Sequence, residues 1–431
     1  MYSFEENIRK VEPYVPGEQP TGKVIKLNTN ENPYPPAKGV TEALESMNTD
    51  LLRKYPDPTA DILVKELADF YNVGEEQVFV GVGSDDVLSM CFLTFFNSDK
   101  PIFFPDITYS FYEVWANLYR IPYTCKELDK NFEIVPEDYY GENGGVIFPN
   151  PNAPTGLYQE LDKVEDIIRH NPDVIVIVDE AYVDFAGESA LSLIDKYDNL
   201  IVVQTFSKAR SMAGMRIGYA ISNPHLIKCL NDVKYSFNSY TMNQTSLVCG
   251  VEAVKDRAHF EETVHKIIET REWAKEELAK LGFEFLDSKA NFIFAKHPEY
   301  DAKELFEAMK KENIYVRFWG SRRIEQYMRI TIGTKEEMET LEDFLSTVHY
   351  QSMDPADETT YSLLNDRLKE LSPQYENNGN YLFYLATPPL LYELIPKYLH
   401  DAGLLKKPGL KRIIVEKPFG YDLASAQKLN K

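Results

Sequence analysis

The sequence has 431 residues, 44% hydrophobic and 13% aromatic, a globular composition long enough for roughly two to four domains or one large enzyme with a satellite piece. Forty-six Lys and Arg against 68 Asp and Glu give a net charge of -22. That argues against a non-specific nucleic-acid or anionic-membrane surface, and an anionic ligand then needs a local cationic pocket. The acidic start MYSFEENIRK has no apolar h-region, no run reaches the ~18–20 apolar residues of a membrane span, and four dispersed cysteines fit neither a disulfide framework nor a CxxC site, so the expected compartment is the cytoplasm. Seven scattered histidines suggest no metal site.

Residues 1–50 hold a Pro- and Asn-rich stretch, YVPGEQP and LNTNENPYPPA, too aperiodic for a core element and expected to lie across a surface or a partner. Helical pattern then alternates with short apolar runs: TADILVKELADFY (59–71), QVFVGVG (77–83), DDVLSMCFLTFF (85–96) and KPIFF (100–104). GGVIFPN (144–150), DVIVIVDEAY (173–182) and NLIVVQTFSK (199–208) continue the rhythm, and their unbroken Val/Ile character suits strands buried on both faces of a parallel sheet. This predicts a large α/β domain. From about 223 the pattern turns mainly helical, clearest in HFEETVHKIIETREWAKEELAKLG (259–282), and strand-like runs return at NFIFAK (291–296), IYVRFW (314–319) and YMRITIG (327–333), an α+β annex. Beyond LEDFLSTVHY (341–350), ENNGN (376–380) reads as a loop, and YLFYLAT (381–387) and RIIVEKP (412–418) read as two buried parallel strands joined through a helix. The expected division is an N-terminal arm (1–45), a large domain (46–250), a small domain (251–348) and an appended fragment (349–431).

In an open parallel sheet, ligands sit where the strand ends and their loops gather. GVGSDD follows a strand and opens a helix, so the free N–H groups of Ser84 and Asp85, with the helix dipole, suit a phosphate. NPNAPTG (150–156) follows a second run, Asp179 and Tyr182 end a third, and Ser207, Lys208, Arg210 and Arg216 end a fourth. Singly each reads as an ordinary βα turn, an N-cap or a solvated loop cation. Together they match the needs of pyridoxal phosphate: a Lys for the Schiff base, an acid at the pyridine nitrogen, and phosphate donors.

With PYVPGEQP, KLNTNENPYPP, KYPDP, PDITYSFY and VRFW…YMRITIGT in the same order, these motifs resemble the fold-type I aminotransferases, and within them the histidinol-phosphate aminotransferases, over about residues 1–348. The resemblance implies a large, mostly parallel-sheet domain and a smaller α+β domain. It implies Lys208 as the Schiff-base lysine and Ser207 and Arg216 as phosphate ligands, with Arg210 a further candidate. Asp179 would pair with the pyridine nitrogen, Tyr182 with the phenolic oxygen, Tyr109 would stack on the ring, and Ser84 and Asp85 would form the phosphate cradle. Tyr55 matches the tyrosine that reaches the phosphate from a second subunit, hence an expected homodimer with shared active sites. The family carries Asn before PTG; here Ala153 stands there, and Asn152 is the candidate replacement for contact to the cofactor oxygen. Tyr14, Arg317 and Arg329 fall where the family binds the substrate's anionic end. The implied reaction converts histidinol phosphate and 2-oxoglutarate to imidazole acetol phosphate and glutamate. A sister enzyme of the same fold acting on aromatic or phosphorylated amino acids is the nearest alternative.

Past residue 350 the resemblance changes. QSMDPADETTYSLLNDRL, NYLFYLATPP and RIIVEKPFGYDLASAQKLN look like an internal segment of glucose-6-phosphate dehydrogenase, in which Lys417, followed by Pro418, would lie near coenzyme and sugar phosphate. That family's Gly-rich dinucleotide turn has no counterpart before residue 350, so an incomplete Rossmann-like fragment without dehydrogenase activity is expected. The alternative is a bifunctional chain with an NADP-binding C-terminal module.

Overall fold

The computed structural model describes residues 4–415 apart from 350, 352, 376 and 407. Lys417 and Pro418 lie outside the described residues. The chain divides into two compact units, Met1–Thr347 and Val348–Lys431.

Among the described residues, the first unit is built on a seven-stranded sheet. Its strands are β1 (Val78–Gly81), β2 (Ile102–Pro105), β3 (Tyr123–Lys126), β4 (Val146–Pro149), β5 (Val176–Asp179), β6 (Leu200–Thr205) and β7 (Gly218–Ser222), in the order β1-β7-β6-β5-β4-β2-β3. All run parallel except β7, which pairs antiparallel with both β1 and β6. Side chains alternate across the sheet: Phe148, Val178 and Val202 join one core cluster, while Ile147, Ile177 and Ile201 join another on the opposite face. Burial on both faces is the physical reason β4, β5 and β6 are apolar along most of their length, the buried polar residues Asp179, Gln204 and Thr205 standing at their C-terminal ends. β7, GYAIS, was not expected from the sequence, because a short run of small and mixed residues carries no such signal.

Around the sheet run α1 (Lys38–Glu45), α2 (Asp61–Tyr71), α3 (Ser84–Phe95), α4 (Phe111–Tyr119), α5 (Leu161–Arg169), α6 (Pro224–Phe237) and α7 (Gln244–Lys255), after which α8 (Arg257–Lys280) leads into the annex. The annex sheet contains β8 (Glu284–Phe285), β9 (Phe292–Lys296), β10 (Arg317–Phe318) and β11 (Met328–Thr331), antiparallel in the order β10-β11-β9-β8, with α9 (Ala302–Lys311) and α10 (Lys335–Ser346) beside it. Thr334 and Glu337 form a capping box that stops the chain after β11 and starts α10.

The expected N-terminal arm is only partly an arm. Residues 9–13 are exposed, but Leu27, Asn28 and Asn30 are buried, Ile25–Lys26 pairs in parallel with Ile314–Tyr315, and α1 packs on α7. Pairing with a distant strand, rather than local periodicity, puts this segment in the core.

In the second unit, β12 (Tyr381–Leu385) and β13 (Lys411–Val415) pair in parallel, Tyr381 opposite Lys411 and Leu385 opposite Val415. Two helices, α11 (Thr360–Leu371) and α12 (Leu394–Asp401), supply Tyr361, Ile395 and Leu399 to a core with Leu385, Tyr392 and Leu404. The strands are therefore not buried on both faces as expected: Phe383, Leu385, Ile413 and Val415 face this core, whereas Leu382, Tyr384 and Ile414 are exposed.

Candidate active site

The C-terminal ends of β4, β5 and β6, the start of α3 and the β10–β11 hairpin surround a cavity of about 900 Å³. Lys208 follows β6 by three residues and enters this cavity, where its Nζ donates to the Thr29 carbonyl at 3.1 Å and lies 5.8 Å from the centre of the Tyr182 ring. Burial, followed by the positive charge of Arg329, pulls its pKa down from 10.5 to about 8. Asp179, the last residue of β5, is 4% exposed; its Oδ2 accepts from the Tyr112 hydroxyl at 2.8 Å, and burial pushes its carboxyl up to about 6. Tyr182 accepts at its hydroxyl from Asn30 Nδ2 at 2.9 Å.

The opposite end of the cavity is a cationic cradle. Gly83, in the left-handed region at φ +85°, precedes Ser84, the first residue of α3. A Cβ on Gly83 would meet Arg216 Nη2 at 2.6 Å, so glycine lets the guanidinium approach the helix start. Arg216 donates to Asp85 Oδ2 at 3.0 Å, and Asp85 Oδ1 accepts from Tyr109 at 2.6 Å. Ser207 lies between them, with its Oγ 3.5 Å from Arg216 Nη1. The free amides of the first helical turn complete an anion site. On a third side, the Tyr14 ring stacks on Phe111 at 4.3 Å, Arg317 donates to the Val15 carbonyl and Arg329 to the Asn28 carbonyl.

Two sequence expectations end elsewhere, and a third, Tyr55, is expected to serve a second subunit rather than this cavity. Asn152 is buried outside this cavity: its amide nitrogen donates to the Ile107 carbonyl and to Thr155 Oγ1, and its oxygen accepts from Thr108. Satisfying those buried groups consumes the amide, and Ala153 lines the cavity instead. Arg210 turns away from the cavity into the core, its guanidinium 4.6 Å from the Phe70 ring centre and 4.2 Å from that of Phe260, with Nη1 donating to the Ala253 carbonyl. A guanidinium buried among aromatic rings is not available to a phosphate. Tyr55 is 81% exposed, stacked on Tyr240 at 4.6 Å, and does not line the cavity within this chain.

The sequence reading missed Tyr112 and the amides of the buried arm segment. Asn32 donates to the Lys208 and Ala209 carbonyls at 3.1 and 3.3 Å, holding the lysine's backbone as Thr29 holds its amine. The signal was the density of amides in LNTNEN; what hid it was a partner some 180 residues away. Among the described residues no cluster of His, Cys, Asp and Glu is arranged to hold a metal, and no helix is long and apolar enough to cross a membrane.

The donor set fits pyridoxal phosphate, with a buried amine of lowered pKa, an acid with one hydrogen-bonded oxygen, and an anion cradle that a side chain at Gly83 would fill. Comparison with known proteins points the same way. The family model for aminotransferase class I and II matches residues 22–345. Histidinol-phosphate aminotransferases from Clostridium botulinum (strain Langeland) and Lactococcus lactis subsp. cremoris are 50% and 49% identical, with the alignments covering 81% and 80% of this chain and 99% and 97% of theirs. Among solved structures, histidinol-phosphate aminotransferase from Sinorhizobium meliloti, in complex with pyridoxal-5'-phosphate, superposes with a TM-score of 0.69 at 24% identity over 75% of this chain and 89% of that one. The enzyme from Clostridium acetobutylicum gives 0.69 at 23% identity over 75% and 98%. A second model, for the NAD binding domain of glucose-6-phosphate dehydrogenase, matches residues 319–431 and so overlaps the end of the first. Apart from Tyr14, Pro16, Gly17 and Gln19, the cavity is built from the segment that the first model covers, and by that match and the identity of its relatives the chain belongs to the class I and II aminotransferases.

Proposed function

We propose that the chain is a pyridoxal-phosphate-dependent aminotransferase that takes the amino group of histidinol phosphate and passes it to 2-oxoglutarate, in the cytoplasm, as a homodimer. The buried Lys208 amine in the cavity, which loses its proton far more readily than an exposed lysine, carries this reading. When bound, the cofactor supplies an aldehyde that forms an imine with an amine and a ring that accepts the electron pair of the breaking Cα–H bond.

The chain's residues do the rest. Lys208 would take the Cα proton at Nζ, for which a pKa near ambient pH is well suited. Asp179, with a carboxyl near 6, is mostly anionic at pH 7 and holds a proton on a ring nitrogen beside it. Tyr182, kept in place by Asn30, donates to the ring's oxygen, and Tyr109 covers a ring face. Ser84, Asp85, Ser207 and Arg216 hold the phosphate. Arg317 and Arg329 receive the anionic ends of both substrates in turn.

The homodimer is supported by an exposed apolar patch, where Tyr55 stacks on Tyr240 and Leu52 and Phe237 are 59% and 68% exposed. In this reading the second unit adds no dehydrogenase activity, since its described part is a two-stranded sheet with one face bare. The test compares turnover of histidinol phosphate and phenylalanine with 2-oxoglutarate as acceptor. Preference for phenylalanine would move the chain to a sister activity.

A further inference from the structure

Three guanidinium groups, those of Arg317, Arg322 and Arg329, line the cavity, and none forms an ion pair with a carboxylate among the described residues. Arg329 gives Nη2 to the Asn28 carbonyl, but its Nε is buried without a hydrogen bond. Arg317 gives Nη2 to the Val15 carbonyl at 3.3 Å. Arg322, not anticipated from the sequence, is exposed and makes no hydrogen bond or ion pair with any described residue. Of the cavity's carboxylates, Glu31 pairs with Lys26, Asp85 with Arg216 and Asp106 with Arg323, Asp179 accepts from Tyr112, and the exposed Glu113 accepts only from the Cys125 thiol, with no ion pair to any of the three arginines. In a chain of net charge -22, three arginines without ion pairs, one of them buried with an unsatisfied Nε, favour an anionic ligand.

The count of charges separates ligand classes. Two guanidiniums satisfy a carboxylate, each through a planar fork. A third is surplus to a single negative charge but matches a phosphate monoester, which carries close to two charges at pH 7 and three acceptor oxygens. The loop that carries Arg322 is anchored. Its neighbour Arg323 pairs with Asp106 at 2.9 Å and donates to the Leu128 and Asp129 carbonyls at 2.7 and 2.9 Å, fastening the loop between β10 and β11 to the large sheet's flank.

We propose that Arg322 is a specificity-determining residue that favours a phosphate monoester over a carboxylate at this wall by neutralising the second negative charge. This rests on the reading that the amino donor carries a phosphate. The alternating use of one site by a phosphorylated donor and a dicarboxylate is then served by Arg317 and Arg329 in common and by Arg322 for the donor alone. Because Arg322 is exposed, its contribution is screened by salt, whereas that of the buried Arg329 is not.

The test uses the full-length holoenzyme with Arg322→Gln and Arg322→Lys. Arg322→Gln is expected to lose about tenfold in kcat/KM for histidinol phosphate, through KM with kcat kept, and less than about twofold for glutamate. Arg322→Lys should recover part of the loss, and raising the ionic strength should shrink it. Equal losses for both substrates, or none for either, overturn the proposal. Methyl phosphate, as a competitive inhibitor against glutamate, separates this from the wider reading. If the parent enzyme does not turn over histidinol phosphate, the functional reading fails, yet weaker methyl phosphate inhibition in Arg322→Gln at unchanged glutamate KM still supports the role of Arg322. Inhibition that Arg322→Gln leaves unaltered overturns it.

Discussion

Lys208 is the residue on which the proposed chemistry turns, and its environment makes two measurable statements. Lys208→Ala should abolish steady-state transamination while leaving the phosphate cradle able to retain cofactor; turnover equal to the parent's would remove Lys208 from the reaction. Since its amine titrates near 8 rather than 10.5, cofactor capture by the apoprotein, followed by absorbance, should accelerate as pH rises and level off above about 8. A rate still climbing at pH 10 would mean that the amine is an ordinary one. Arg329→Lys keeps the charge but loses the fork, with an expected cost of about 2–3 kcal/mol in transition-state binding of both substrates; unchanged kinetics for glutamate would place the anion elsewhere. Behind the site, Glu180 accepts from Ser189, Ala190 and Gln204, and burial pushes its carboxyl up to about 7. The native state thus holds a proton that the unfolded chain, titrating at 4.5, gives up first. Stability from this group is fully present below about 4.5 and is lost as pH rises through about 7. Glu180→Gln should flatten the apoprotein's Tm against pH over that window, and an unaltered slope would assign it to other groups.

At the scale of elements, the closest approach in the site region is between β7 and the start of α3. A Cβ on Gly218 would lie 2.3 Å from the backbone of both Gly83 and Ser84. Gly218→Ala must therefore part the strand from the helix terminus, at about 1–3 kcal/mol of stability, and should weaken cofactor retention in dialysis more than Gly214→Ala, whose Cβ meets nothing. Neither the strand nor this contact was legible in the sequence. What could be read were β4, β5 and β6, where burial on two faces favours an unbroken apolar run, and the residues at their ends, which backbone geometry must bring together. What could not be read was side-chain direction. Asn152 and Arg210 stand beside the right motifs, yet one is spent on neighbouring buried groups and the other on an aromatic cage. Tyr112 and Asn30 matter through partners 67 and 152 residues away, a separation on which local pattern is silent.

On the scale of the whole chain, the two units differ in how well they are covered. Leu382, Tyr384 and Ile414 leave an apolar strip on the second unit, and Leu390 nearby in sequence is 81% exposed. Ending the chain after residue 347 should leave turnover unchanged and reduce concentration-dependent light scattering; loss of activity would give the second unit a role in catalysis. Limited proteolysis is expected to cut between about 348 and 380 and to release an active core. The order of manufacture adds a consequence of its own. Asn28 and Asn30 leave the ribosome well ahead of Arg329 and Thr331, the partners they bind 301 positions later. At about 5–20 residues per second the early segment waits roughly 15–60 s for its partner. Through that interval the Asn28 carbonyl and the Asn30 side-chain oxygen lack the partners that Arg329 and Thr331 supply, and the pocket lacks a wall. A nascent chain released early would therefore carry the lysine, the acid and the phosphate cradle without the arginine wall, and a chaperone that shelters the amide-rich N-terminal segment would raise the yield of finished enzyme more than one that shelters the sheet.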